Sequence, residues 1–313
     1  MLSKNDFKKE LGKSIYIYPF YEKNIKDNSI NLSIGNYAWA LGEGSVAKDK
    51  DGNFVLVKAD QQQNIASTIT GPKNRRNSTK IRYGESAIRT IGGDKYLILL
   101  PRVTTAVETR EVIGVNNCIG GTLHSKVGVV AQGIGDIGTM LGPCYCGHLL
   151  ISLHNVSDKV VAIPVGETFV SVVFHYLNTP AKNEKNPNMS GHVDKLSELG
   201  VKISAKTREF LTEDWKQRED GIRDKMLADE GFKEFQKKAK REKNEYVKSF
   251  FNLKNSLIIV GLALLAVLFG WLAYKVKTDT GESVWVDRYW TVVSSAIVVP
   301  LVGLLTRQIK PKK

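Results

Sequence analysis

Ser125 and Lys126 place a hydroxyl beside a compact cation, a pair of groups suited to holding a phosphate. The same two residues also suit the exposed end of a strand, and the sequence leaves both readings open. His124 precedes them, but neighbours on a strand point to opposite faces, so His124 and Ser125 make a poor base and nucleophile. Cys144, Cys146 and His148 form a C-x-C-x-H pattern on a turn and strand, without the second pair of ligands that a zinc site needs. Neither a metal nor a cofactor is expected. The glycines from Gly114 to Gly147 follow neither a P-loop nor a dinucleotide fingerprint.

The elements that must hold these groups are short. Residues 1–180 carry β-branched and aromatic runs punctuated by Gly, Asn and Pro. Tyr96–Leu100, Lys126–Val130, His148–Leu153, Val160–Pro164 and Thr168–Tyr176 are of strand length, and many closely spaced strands predict an all-β barrel or sandwich. Gln61–Tyr83 is polar and basic and reads as an exposed excursion from it.

A chain of 313 residues with 42% hydrophobic content has room for a packed domain and further segments. The net charge of +13 admits nucleic acid, anionic lipid or a phosphate-bearing ligand, so its placement matters more than its sum. Cys118, Cys144 and Cys146 are odd in number, and the last two stand too close for an unstrained bridge, which argues against a disulfide-stapled secreted protein. The start, MLSKNDFKKELGKS, has charges but no apolar stretch behind them, so no secretion signal is expected there.

From Asn255 to Tyr274 no residue is charged, and about 20 apolar residues in a helix cross a hydrocarbon core of about 30 Å. Tyr289–Thr306 is a second uncharged run, with Pro300 inside it. Trp271, Tyr274, Trp285, Tyr289 and Trp290 cluster around the loop between the runs, where amphipathic rings favour the headgroup layer. Lys233–Lys254 holds eight Lys/Arg against three acids, and Arg307, Lys310, Lys312 and Lys313 follow the second run. Positive residues stay on the cytoplasmic side, so the expectation is a two-helix transmembrane hairpin in a lipid bilayer with both ends cytoplasmic. Between the N-terminal domain and this hairpin, residues 181–254 space Phe210, Leu211, Trp215, Ile222, Met226, Leu227, Phe232 and Phe235 as an amphipathic helical linker, which either packs on the domain or self-associates. Its place beside a membrane run favours lipid over nucleic acid as its partner.

The order of the β segments resembles the dCTP deaminase and dUTPase superfamily. SINLSIGN (Ser29–Asn36) resembles that family's S-x-D-L-x-L-G element, with Asn31 in place of Asp; Thr109-Arg110-Glu111 resembles T-x-E; LHSKVGVV (Leu123–Val130) resembles G-R-S-S-L-A-R. GPCYCGHLLISLHN (Gly142–Asn155) is similar to D-P-G-F-x-G-x-x-x-L-E-L-x-N, and IPVGETFVSVVF (Ile163–Phe174) to L-x-P-G-x-x-I-x-Q-L-x-F. The resemblance covers residues 15–178 and implies a mainly β, dUTPase-like barrel or jelly-roll that trimerises and binds pyrimidine deoxynucleotides between subunits.

Departures from the family pattern bear on chemistry. The general-base Glu falls on Ser152, a motif Asp on Leu141 and Gly142, the phosphate-motif Arg on Val129 and its second Ser on Lys126. A hydroxyl without a partner base cannot take a proton from water near neutral pH. The resemblance therefore implies binding without catalysis, with His124, Ser125, Lys126, Thr139, Tyr145 and Gly147 at the ligand and no catalytic residue. A degenerate nucleotide domain joined to a membrane hairpin further resembles antiphage effectors of the Pycsar type, in which a cyclic pyrimidine nucleotide such as cCMP or cUMP, made by a partner cyclase, impairs the bacterial inner membrane. Two alternatives are a membrane-tethered dCTP deaminase or dUTPase with Glu108 or Asp136 standing in for the lost acid, and a trimeric scaffold that binds nothing.

Overall fold

The computed structural model describes residues 1–48, 54–56, 79–136, 138–182 and 190–250, with separate helical positions between 261 and 275. It divides into two compact units, Met1–Phe235 and Gln236–Lys313.

The first unit is mainly β. Its strands are β1 (Ile15–Tyr18), β2 (Ile30–Ala40), β3 (Gly44–Lys48), β4 (Phe54–Leu56), β5 (Thr79–Ile81), β6 (Ile88–Ile91), β7 (Asp94–Leu99), β8 (Thr104–Val115), β9 (Ile119–Ser125), β10 (Ile134–Asp136), β11 (Met140–Leu141), β12 (Cys146–Asn155), β13 (Val161–Pro164) and β14 (Thr168–Tyr176). An antiparallel sheet runs β10-β12-β8-β2-β14-β9-β11, with β1 also paired to β8. It curls because register shifts interrupt β2, β12 and β14, and a bulge bends its strand. A second sheet, β13-β7-β6, adds Leu97, Leu99, Val161 and Ile163 to one core with Leu32, Ile113, Ile151 and Phe174. The interior strand β8 is buried on both faces from Thr105 to Val115 except at Arg110, and it encloses the polar side chains of Thr105, Glu108, Thr109 and Glu111 with its apolar ones.

Strand positions follow the sequence reading at Thr168–Tyr176 and, within a residue or two, at three other runs. Lys126–Val130 differs. It forms a helical turn, Val127–Val130, because the pairing of β9 with β14 runs out at Ser125 opposite Val170. Val127 and Val130 are exposed there, so β-branched content without a partner strand does not make a strand.

Among the residues described up to 250, the α-helices are α1 (Lys4–Glu10), α2 (Val127–Val130), α3 (Val193–Glu198), α4 (Ala205–Leu211), α5 (Glu219–Ala228) and α6 (Glu230–Phe250). The apolar faces of the helices beyond residue 190 pack within the first unit. Ile222, Met226, Phe232 and Phe235 join the main core, with the Phe20 ring 5.2 Å from that of Phe232 and 5.3 Å from that of Phe235. Trp39, Ala106, Val193, Leu196, Val201 and Leu211 form a second, smaller core. The compact unit therefore continues past residue 180 to Phe235.

Among the described residues no helix is long and apolar enough to cross a membrane. The run expected over 289–306 lies outside the described residues, as does most of 255–274. Within the latter, Leu264, Val267, Leu268, Trp271 and Tyr274 are helical positions with exposed side chains. Of the excursion expected over 61–83, all but its last residues also lies outside the description.

Candidate functional site

Beyond Ser125 the chain leaves the sheet, and Lys126 turns its ammonium onto β14. Nζ donates to the Thr168 carbonyl at 3.2 Å and to the Thr168 hydroxyl at 2.5 Å. An ammonium has three N–H donors, so one remains for a ligand. Lys126 lines a cavity of about 410 Å³ with Arg110 of β8, Asn31 and Ser33 of β2, and Lys23 and Lys26. Four cations here meet one carboxylate, the exposed Glu167.

The floor of this cavity is fixed from beneath. The Ser33 amide and hydroxyl donate to Glu111 at 2.8 and 2.9 Å, and the Ser171 hydroxyl donates to Asn31 Oδ1 at 2.7 Å. Burial raises the Glu111 carboxyl above its ordinary range, opposed by the Ser33 donors. Strand alternation then turns the neighbouring Arg110 outward, where its guanidinium sits 5.5 Å from the centre of the Tyr21 ring. A concave surface with this excess of positive charge attracts a phosphate-bearing anion.

Of the six residues expected at a ligand, this cavity takes in Lys126 alone. Ser125 is the half-buried residue before it. His124 is exposed, with Nε2 3.1 Å from the Thr122 hydroxyl, and Thr139 is exposed while its carbonyl accepts from Leu123 N at 3.0 Å. Tyr145 and Gly147 belong elsewhere. Tyr145 is 3% exposed, its hydroxyl donates to the His148 carbonyl, and its ring stacks on His192 at 5.9 Å. Tyr145 is a core side chain here and does not line the cavity. Gly147 lies under the chain's own Ser190, whose hydroxyl accepts from His148 N at 3.0 Å.

At φ +146° Gly147 has a conformation that L side chains rarely adopt, and an added Cβ would lie 2.7 Å from the Ser190 Cα. Gly147→Ala therefore destabilises the fold by about 2–4 kcal/mol through backbone strain and displacement of that turn. Urea unfolding of the two proteins measures it, and equal midpoints would remove the argument.

Arg110, Lys23, Lys26, Asn31, Ser33 and Thr168 line the cavity but are not among the six residues expected at a ligand. A signal existed for four of them. Asn31 and Ser33 stand in SINLSIGN, Arg110 in T-R-E and Thr168 in IPVGETFVSVVF, so four of the five motif segments converge on one cavity once Lys126 is counted. Lys23 and Lys26 come from the chain around a single turn of 3-10 helix, Glu22–Asn24, and carry no motif.

No protein-family model matches the chain. The dCTP deaminase of Thermococcus kodakarensis is 22% identical over 182 residues, which is 58% of this chain and 89% of that protein. That of Pyrococcus abyssi is 28% identical over 95 residues, 30% of this chain and 62% of that protein. The domain is similar to dCTP deaminases. Among solved structures, the 2'-deoxycytidine 5'-triphosphate deaminase from Agrobacterium tumefaciens aligns with a TM-score of 0.37 and 9% identity, covering 56% of this chain and 48% of that one. A Staphylococcus bacteriophage 80alpha dUTPase with dUPNHPP aligns with a TM-score of 0.25 and 18% identity, over 30% of this chain and 74% of that one.

The acids on β8 are enclosed. Glu108 is 1% exposed; its Oε1 lies 3.0 Å from His148 Nδ1 and its Oε2 accepts from Tyr37 N at 3.2 Å. Burial pushes the Glu108 carboxyl up to about 8 and the His148 ring down to about 3, so both are neutral at pH 7 and the contact is not an ion pair. The Thr109 carbonyl, 2.9 Å from Nδ1, can only accept, which places the ring proton on Nδ1. An acid sealed in this way does not reach a water over the cavity. Ser152 is half-buried on β12 opposite Ala106, and the Asp136 side chain lies outside the described residues.

Proposed function

We propose that this chain is a membrane-anchored receptor for a pyrimidine nucleotide, which its dCTP deaminase-like domain binds without turning it over. The observation that carries this reading is the cavity in which Lys126 and Arg110, with Lys23 and Lys26 at hand, face a floor held by Glu111. The positive groups suit a phosphate, and the Glu108 and Glu111 carboxyl groups of β8 accept internal hydrogen bonds from Tyr37 and Ser33. Recognition of a base by donors and acceptors needs no catalytic acid.

In the finer form of the proposal the ligand is a cyclic pyrimidine nucleotide, cCMP or cUMP, supplied by a partner cyclase during phage infection. The chain spans the bacterial inner membrane through 255–274 and 289–306, with its N-terminal domain and its C-terminus in the cytoplasm. It acts as a homotrimer or a higher oligomer, in which contacts between copies would cover exposed apolar residues such as Val127 and Met140. Ligand binding impairs the membrane only by favouring one arrangement of the hairpins over another, so it must bind that arrangement more tightly.

Thermal unfolding of the full-length protein in detergent tests the reading with cCMP, cUMP, dCTP, dUTP and inorganic phosphate. A pyrimidine nucleotide present at a hundred times its dissociation constant stabilises by about 2.7 kcal/mol. Deamination of dCTP or hydrolysis of dUTP in the same samples would replace the receptor by an enzyme. No stabilisation by any nucleotide would leave a scaffold.

A further inference from the structure

A larger cavity, of about 660 Å³, opens on another part of the first unit. One wall is the barrel, from Asn36–Trp39 of β2 and the turn around Gly84 and Ser86; the other is the segment from Gly200 to Thr207 that leads into α4. None of the segments that resemble family motifs reaches it except through Asn36, the last residue of the first.

Its lining differs in kind from the basic cavity. The rings of Tyr37 and Trp39 stand near-parallel, at 13° with centroids 6.3 Å apart; Trp39 is buried, and Tyr37, half-buried at the cleft, also packs with its ring centre 5.4 Å from that of Phe210. Tyr83 stands at the same cleft and donates its hydroxyl to the Leu199 carbonyl at 2.7 Å, tying the barrel to the opposite wall. Of the two charged side chains that line it, Glu85 already accepts from Arg82 Nη1 at 3.2 Å and from Arg82 N at 3.1 Å, which leaves Lys202. The exposed amide of Asn36 supplies both a donor and an acceptor at the mouth.

The geometry points to a second binding site, for an uncharged planar heteroaromatic group such as a nucleobase, stacked on Tyr37 beside Trp39 and read at its edge by Asn36. Aromatic side chains bind bases through their faces without needing charge, whereas the basic cavity offers charge and a single ring, that of Tyr21. Because the two walls belong to the barrel and to the segment carrying α3 and α4, an occupant holds one against the other. Binding here therefore stabilises the docked arrangement of that segment by mass action. The inference does not rest on the receptor reading.

Adenosine and cytidine, which carry no phosphate, are the probes. Saturation-transfer difference NMR on the full-length protein in detergent should show transfer to the base protons in the wild type and in Lys126→Ala. Tyr37→Leu and Asn36→Trp, the first removing the ring and the second filling the mouth, should each weaken binding at least about tenfold. Asn36 is exposed, so its variant decides the matter if Tyr37→Leu fails to fold. Absence of transfer to either nucleoside at millimolar concentration overturns the site, as does unchanged affinity in a folded Tyr37→Leu or Asn36→Trp. Loss in Lys126→Ala also overturns it, by moving the nucleoside to the other cavity.

Discussion

Lys126→Glu weakens nucleotide binding to the full-length protein by about a hundredfold or more, read by calorimetric titration with whichever pyrimidine nucleotide stabilises the wild type. A hydrogen bond to a charged group contributes about 1.5–3 kcal/mol, and reversal of the charge adds repulsion between the new carboxylate and the phosphate. Lys126 stands at the rim of β9 outside the core clusters, so the variant keeps its fold apart from the two bonds to Thr168. Lys126→Arg retains part of the affinity, because a guanidinium keeps the charge but spreads it over a planar fork. Raising the salt concentration weakens the wild type more than Lys126→Glu, since the lost attraction is the screened one. Equal dissociation constants in wild type and Lys126→Glu would take the phosphate out of this cavity.

The second large effect concerns stability at alkaline pH. The Glu108 carboxyl is raised from 4.5 to about 8 by burial, against the opposing influence of Lys216 and the Tyr37 amide. A group whose folded value lies above its unfolded one contributes stability that is whole below the unfolded value and lost as pH rises through the folded value. For Glu108 that window runs from 4.5 to about 8, and the full loss is on the order of 5 kcal/mol at most. His148 acts in the opposite sense. Its folded value lies near 3 against 6.5, so its contribution is complete above 6.5 and falls away on acidification towards 3. Glu108→Gln keeps the shape of the protonated acid and cannot ionise. Its melting temperature should match the wild type near pH 4 and exceed it by several degrees at pH 9. Parallel melting curves for the two proteins from pH 4 to 9 would contradict a neutral Glu108 in the fold.

How far the sequence shows this arrangement depends on which forces set each part. The strand Thr168–Tyr176 is legible because its alternation of buried and half-buried residues is a local pattern. Lys126–Val130 misleads because strand content is decided by pairing, and the pairing of β9 with β14 ends at Ser125. Lys126 itself is recognisable as a cation beside a hydroxyl. Arg110 hides in an interior strand whose other residues are almost all buried, so its outward turn shows only when β8 has neighbours on both sides. Tyr145 and Gly147 sit in a motif-like segment, yet Ser190 and His192, more than forty residues away in sequence, cover them. No local periodicity announces a contact of that range.

Arg110 and Glu111 are consecutive residues with opposite fates: one lines the basic cavity and the other, 1% exposed, holds its floor. A slip of β8 by one residue against β2 and β12 would exchange them, driving a guanidinium into the interior and a carboxylate out among the lysines. Both errors carry a charge penalty, so this dipeptide works as an alignment pin for the middle of the sheet. Insertions or deletions near the centre of β8 should accordingly be tolerated far less well than substitutions at either of its ends.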